Sequence, residues 1–373
     1  MKKITEGGDL KGKRVIVRAS LNVPVKDGMV TNAYRINRAL PTLRFLHESG
    51  AKTVIIAHLG REKTDSLKPV HDALEKFLPV QWGGVIGEGE FDSRVDLMNG
   101  GDFLLAENLR QDDREKANDE DFAKEIAAYG DIYVNDAFAA SHREHASLSA
   151  LAKLLPAYAG LNLSEEIEHL AKVMSPEEPA LFLLGGAKFE TKMPLVEKYL
   201  DTYNHVFIAG ALMNDIFKAK GWEVGTSLVS DVSLENAPFL RSDSLILPID
   251  VIVEGPEGTR TISPMEVAAD EKMLDVGPAT VRMLESYIEN AHTILWNGPF
   301  GNYEAGFEKS TEETAKLVAD AKAFSVVGGG DSVAAIEKLG INDKFGFVST
   351  GGGAMLEYLE KGTLPTLELL NGK

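Results

Sequence analysis

SVVGGGDSVAAI, residues 325–336, decides the fold. A short apolar run, SVV, leads into three glycines, and an amphipathic helical pattern follows. Strand, glycine turn and helix in that order form the half-unit of an α/β domain. There the backbone approaches an anion closely, and the N–H groups at the helix start favour negative charge. Asp331 stands at a position suited either to an N-cap or to a metal ligand. A tight turn merely capped by Asp331 reads the same way, so this motif alone is evenly balanced. STGGGAMLEYL, beginning at Ser349, repeats the arrangement and shifts the balance towards phosphate binding.

The same alternation extends across the chain. Strand-like runs fall at 15–17, 53–57, 103–106, 132–134, 181–184, 206–209, 293–296, 325–327 and 345–348. Helical patterns lie between them. One is RINRALPTLRFLHESG, with Ile36, Leu40, Leu43 and Leu46 on one face and Gly50 as a stop; Pro41 implies a kink or a late start. The alternation predicts an α/β fold with mostly parallel sheets. LNLSEEIEHLAKVM (161–174), followed by SPEEP, reads as a polar-faced helix connecting two α/β domains. The division expected is 1–157 for the first domain, 158–177 for the connection and 178–354 for the second domain.

Bulk properties narrow the function. A chain of 373 residues exceeds one ordinary domain. A formal net charge of −18 disfavours nucleic acid and anionic membranes as partners. The absence of cysteine excludes disulfides and thiolate metal sites. MKKITEGGDLKGK lacks the apolar core of a signal peptide, and no apolar run approaches the ~18 residues of a membrane span. The cytoplasm is the expected location.

In open parallel sheets, ligands bind beyond the carboxyl ends of the strands. In the first half those ends carry polar residues: RASLN, HLGR, ENLR and NDAFAASHREH. Arg18, Arg35 (on the following helix), His58, Arg61, Arg110, His142 and Arg143 are thereby placed near one edge. So many cations in an acidic protein repel one another unless an anion joins them. Arginine's planar fork suits phosphate and carboxylate. In the second half the ends carry glycines instead: GGAKFETK, AGA, NGPFG, GGGDS and STGGG. Lys188 and Lys192, four residues apart, share a face if helical and become phosphate partners beside such loops.

There is no Walker A sequence, no good GxGxxG, no HExxH, no EF-hand loop and no GxSxG nucleophile. One domain for a compact anion and one for a nucleotide polyphosphate imply phosphoryl transfer, in which positioning and charge neutralisation dominate. No general-base dyad is evident, and a carboxylate acceptor, already ionised at neutral pH, needs none. A nicotinamide-dependent dehydrogenase and a non-catalytic binding protein are the rival classes.

RASLNVP, YRI, HLGR, ENLR, VNDAFAASHREHAS, GGAKFETK, DVGPAT, WNGPFGNYE, GGGDSVAAI and STGGGAMLEYLEKGTLP together resemble the phosphoglycerate kinase family, in order and over nearly the whole chain. The resemblance implies two Rossmann-like domains joined by a helix, with a C-terminal segment, 355–373, returning to the first. It implies phosphoryl exchange between 1,3-bisphosphoglycerate and MgADP, giving 3-phosphoglycerate and MgATP, by a monomer with Mg2+.

Asn22, Arg35, His58, Arg61, Arg110, His142 and Arg143 then match the triose-phosphate site, to which Ser20 is also assigned as substrate-binding, and Arg35 matches the arginine on the transferring phosphoryl group. Lys188 and Lys192 match the lysines on nucleotide phosphates, alongside Gly185 and Gly210. Asn297, Pro299, Gly301 and Glu304 match the nucleoside pocket, with Glu304 at the ribose. Gly329, Gly330, Asp331 and Ser332 match the magnesium-nucleotide loop, with Asp331 as the metal-associated carboxylate. Gly351, Gly352 and Gly353 match the loop facing the transferring phosphate, where Gly352 and Gly353 join Arg35 and Lys192 as the catalytic set. The chain departs from the family at Ser20, where Asp is usual, at AGALM, at Gln111 and in its short length. Ser20 bears on the hydroxyl end of the substrate.

Overall fold

The computed structural model describes residues 1–187, 189–234 and 237–370. The chain divides into two compact units: residues 1–168 with 361–373, and His169–Glu360. The helix Leu161–Met174 carries the chain from the first unit into the second.

The first unit is built on a six-stranded parallel sheet. From edge to edge its strands are Val80–Gly84, Phe103–Ala106, Lys52–Ile56, Arg14–Ala19, Ile132–Asp136 and Ala157–Ala159. The chain starts in the middle, at Arg14–Ala19. It lays successive strands on one side and then crosses to the other with Ile132–Asp136. That reversal is a topological switch point, where doubly wound sheets bind ligands. Val15, Val17 and Ala19 face the main core of this unit. The pleat sends Ile16 and Arg18 to the other face.

The second unit repeats the plan. Its parallel sheet runs Leu245–Ile246, His205–Ile208, Ala180–Leu184, Thr293–Asn297, Phe324–Gly328 and Phe347–Val348. Ala180–Leu184 is the first strand, and the switch point lies between it and Thr293–Asn297. An antiparallel sheet of Val251–Gly255, Gly258–Ile262 and Lys272–Val276 is inserted, which the strand–helix alternation did not announce.

Three local expectations change. Pro41 neither delays nor ends its helix, which spans Tyr34–Glu48 with Pro41 inside. The strand read at 345–348 is confined to Phe347–Val348. Asp331 is not an N-cap: Gly329 holds that place at φ 103°, a conformation that favours glycine, and Asp331 lies in the first turn of Gly330–Leu339. Among the described residues, no helix is long and apolar enough to cross a membrane.

The C-terminal segment returns to the first unit. The Lys2 N–H donates to the Leu370 carbonyl at 2.8 Å. Thr366, fully buried, donates to the Ser141 carbonyl at 3.0 Å, and its hydroxyl accepts from Asn135 at 3.4 Å.

Candidate active site

At the switch point of the first unit, three loops are tied together by their own polar groups. The Asn22 side chain accepts from the Gly60 N–H at 2.9 Å, and its carbonyl accepts from Arg35 at 2.6 Å. The Gly60 carbonyl in turn accepts from Arg110. Arg35, Asn22, the HLGR loop and Arg110 thus form one connected rim. Asn108 locks the loop behind it, accepting from Leu59 N at 3.1 Å and donating to Leu59 O at 2.9 Å and Asp65 O at 2.8 Å. Gln111 adds a bond to the same Asp65 carbonyl at 3.1 Å.

His142 and Arg143 follow the strand Ile132–Asp136 across the switch point. Arg143 donates to His142 Nε2 at 3.3 Å. Ser20 is buried directly after Ala19, and Arg61 is exposed at the rim.

Arg18 is the chief correction to the sequence reading. It sits at the carboxyl end of its strand but has no exposure at all. Its side chain lies on the Ile16 face and is bonded inward to Ser147, Ala19 and His58. It supports the site from behind rather than lining it.

The cations crowd one another. Burial, then Arg143 and Arg18, lower the pKa of Arg110 from its ordinary value. Burial and Arg61 lower that of Arg143. Burial followed by Arg18, Arg110, Arg143 and His145 holds His58 well below the usual imidazole range. His145 is pushed down to about 4 by burial and the same arginines. Both imidazoles are therefore neutral donors and acceptors at pH 7, while the arginines keep their charge. A small polyanion is the natural partner for such a cluster.

The second unit is built differently at its switch point. The Gly185 N–H donates to the Asn297 carbonyl and the Gly186 N–H to the Pro299 carbonyl, both at 2.9 Å. A Cβ on Gly185 would meet the Pro299 carbonyl oxygen at 2.1 Å, and one on Gly210 would meet Gly186 N at 2.4 Å. A Cβ on Gly329 would lie 3.2 Å from Gly298 N, and one on Gly352 would lie 3.4 Å from the Gly329 Cα. The glycine loops that the sequence scattered over five strand ends thus form a single floor of bare backbone. Gly330 and Gly353 continue its outer side and are exposed.

Lys192, in the helix Phe189–Leu200, is buried with its ammonium against the Gly185 carbonyl. Lys188 lies outside the described residues. Asn297 is buried at the end of its strand, Gly301 is buried and Glu304 is exposed. Gly301 is backed by Asp275, which burial pushes up to about 6 against the bond from Ser310. A Cβ on Gly301 would lie 2.5 Å from the Asp275 carboxyl carbon.

Asp331 is raised above its ordinary value by burial and by the nearby Glu304 charge, against the opposing pull of Lys192. Two repelling carboxylates beside phosphate-sized backbone loops suit a hard divalent cation. Ser332 is fully buried, and its hydroxyl has no hydrogen-bond partner among the described residues. Another His-and-carboxylate cluster, His71 with Asp72 and Glu75, is neutralised internally, since the Lys68 ammonium stands 3.2 Å from both His71 Nδ1 and Asp72.

Sequence reasoning missed Glu115, Ser147 and Asp275 as parts of the two sites. HREHAS contains Ser147 and DVGPAT contains Asp275, but no local pattern marks Glu115 as buried.

Two doubly wound units, one presenting arginines and histidines and the other a glycine floor with a lysine and an aspartate, define a small-molecule kinase. The phosphoglycerate kinase family model matches residues 4–362. A phosphoglycerate kinase of Dictyoglomus turgidum is 40% identical over 98% of this chain and 97% of its own. One of Rubrobacter xylanophilus is 43% identical over 97% and 96%. The solved phosphoglycerate kinase of Coxiella burnetii superposes with a TM-score of 0.82 at 36% identity, covering 97% of each chain. The chain belongs to the phosphoglycerate kinase family.

Proposed function

We propose that the chain catalyses reversible phosphoryl transfer between 1,3-bisphosphoglycerate and ADP, giving 3-phosphoglycerate and ATP. The observation that carries this reading is the contrast between the two switch points. The first offers a compact set of cationic and neutral donors for a triose phosphate. The second offers the backbone N–H groups at the starts of Gly330–Leu339 and Gly352–Lys361, and a lysine, for a polyphosphate. Residues 1–157 form the triose-phosphate domain and 178–354 the nucleotide domain, and the C-terminal segment, expected from 355, returns to the first from Lys361 onward.

In this reading Arg110, Arg143, Arg61, His58, His142, Asn22 and Ser20 hold the phosphoglycerate. Arg35, pinned to the Asn22 carbonyl, is aimed at the charge that develops on the transferring phosphoryl group. The Gly185–Gly186, Gly210, Asn297–Gly301 and Gly329–Gly330 loops hold the nucleotide with Lys188 and Lys192. Gly352 and Gly353 supply the N–H groups at the start of Gly352–Lys361, where a helix end favours the moving phosphate. Asp331 would hold Mg2+, with Ser332 beside it. The ion neutralises phosphate charge when bound.

The acceptor carboxylate is ionised at neutral pH, so no residue need remove a proton. Ligands carried by separate units react once closure brings them together. The enzyme works as a cytoplasmic monomer. The test is a coupled assay with 3-phosphoglycerate, ATP and Mg2+. Turnover that requires all three is expected; binding of both ligands without turnover would reduce the chain to a binding protein.

A further inference from the structure

Behind the basic rim lies a chain of four buried groups in which donation runs outward from Arg18 in both directions. Arg18 donates through Nε to the Ser147 hydroxyl at 2.9 Å. The Ser147 hydroxyl donates to Glu115 Oε1 at 2.6 Å, and the Ser147 N–H donates to Glu115 Oε2 at 2.9 Å. At its other end Arg18 donates to His58 Nδ1 at 2.6 Å. Arg18 and Glu115 have no exposure, and His58 almost none.

Each part is placed by the fold. Arg18 lies on the Ile16 face of the central strand. Ser147 sits in a π-helical turn, Ala146–Ala150, of the kind that often reshapes a functional site. Glu115 lies on the single turn Asp113–Lys116. Glu115 acts on both Arg18 and Arg110, and His145 Nδ1 stands 3.7 Å from it.

The chemistry of arginine sets the state of His58. A guanidinium has five N–H donors and no acceptor. The nitrogen it bonds must therefore offer a lone pair. That leaves the imidazole neutral, with its proton on Nε2. Nε2 has no partner among the described residues, so it is a fixed donor at the site. The other tautomer would present a lone pair to an oxyanion and repel it. A fully buried guanidinium can keep this place only with a counter-charge close by. Ser147 relays the Glu115 charge to it.

We propose that Glu115 is a positioning residue of the anion site. Through Ser147 and Arg18 it fixes His58 as a neutral Nε2–H donor to a substrate oxyanion. The identity of that oxyanion rests on the function proposed above; the state of His58 does not.

The experiment combines two readouts on the full chain and on the variants Ser147→Ala and Glu115→Gln. The first is the imidazole 15N spectrum of His58 without ligand. The second is the split between KM for 3-phosphoglycerate and kcat. In the unaltered protein His58 should show one tautomer, with the proton on Nε2. In both variants that tautomer should give way to a mixture or to imidazolium. KM should rise roughly fivefold or more, as for a lost hydrogen bond to a charged group, while kcat changes much less.

A His58 that keeps a single Nε2–H tautomer in the variants overturns the proposal, whatever happens to KM. Loss of the tautomer with KM unchanged overturns it as well. If Glu115→Gln does not fold, Ser147→Ala decides, since it removes only the relaying hydroxyl. Were the unaltered chain to turn over no 3-phosphoglycerate, the proposed function would fail, and the spectra would still decide the relay.

Discussion

The two units share one topology and differ in how they meet a ligand. In the first, side chains do the work: Arg35, Arg110, Arg143 and His58 converge on the switch point from four strand ends. In the second, backbone does the work: Gly185, Gly210, Gly329 and Gly352 strip the same region of side chains so that loops can touch. A small triose phosphate can be surrounded by long, flexible cations. A polyphosphate chain must come close to backbone and to helix-start N–H groups, and bare glycine permits that approach. The same doubly wound sheet thus supports two recognition strategies, and substitutions should fail differently in each.

The largest effect is expected from Arg35→Ala. Removing a donor aimed at developing charge costs about 3 kcal/mol or more, so kcat should fall at least a hundredfold while KM for 3-phosphoglycerate moves far less. A near-normal kcat would remove Arg35 from the chemistry and leave the first unit a passive binder.

Gly185→Ala tests the backbone strategy. Its methyl would overlap the Pro299 carbonyl, and backbone cannot rotate away as a side chain can. A stability loss of about 2 kcal/mol is expected, with weaker nucleotide binding and unaltered 3-phosphoglycerate binding in calorimetry. Loss of both ligands together would show that the two sites are not separable.

Each unit also holds a buried carboxylate whose pKa burial raises, Asp136 in the first and Asp275 in the second, and the two titrate differently. Asp136 is pushed up to about 7 by burial, against bonds from Thr42 and the Leu163 and Asn162 N–H groups. Asp275 is pushed up only to about 6. Both folded-state values exceed the ordinary aspartate value of 3.8. The folded form therefore holds a proton that the unfolded chain releases, so stability is greatest at low pH and falls as pH rises through the folded value. For Asp136 that window is roughly pH 4 to 7, with a slope up to about 1.4 kcal/mol per pH unit. Asp136→Asn should remove this slope in denaturant titrations, and Asp275→Asn should remove a slope that ends about one unit lower. Parallel pH profiles for the parent and the Asp136 variant would contradict the assignment.

The smallest effect belongs to Arg61→Ala. Its side chain is exposed, where ion pairs contribute at most about 1 kcal/mol. KM for 3-phosphoglycerate should rise by a small factor at low ionic strength, and the difference should shrink with added salt. A salt-independent change would mean that Arg61 acts through loop geometry instead.

Much of this contrast is visible in the sequence, because strands buried on both faces leave unbroken apolar runs. FLLA coincides with Phe103–Ala106 for that reason. Val80–Gly84 escapes, since Gln81 and two glycines interrupt its run. The insert from Val251 to Val276 escapes too, as its edge strand GTRTI is exposed almost throughout and reads as loop.

At the sites, the positions are legible and the orientations are not. Arg18 and Arg110 both follow strands and both look like rim residues. Only the pleat, together with partners far away in sequence, sends Arg18 inward to Ser147. Ser20 is likewise placed by its strand, but whether it recognises a hydroxyl is a matter for Ser20→Asp. An unchanged KM and kcat there would remove it from substrate recognition.

The returning segment has a consequence for how this chain is made. Residues 361–370 complete the first unit, where Thr366 bridges Asn135 and Ser141 just ahead of His142 and Arg143. A ribosome delivers that segment after all of residues 169–360. The usual order, in which the N-terminal domain finishes first during synthesis, is therefore reversed here. The glycine-floored unit can close while the arginine-bearing unit still waits for its last stitch, so the anion site is the final part of the enzyme to mature.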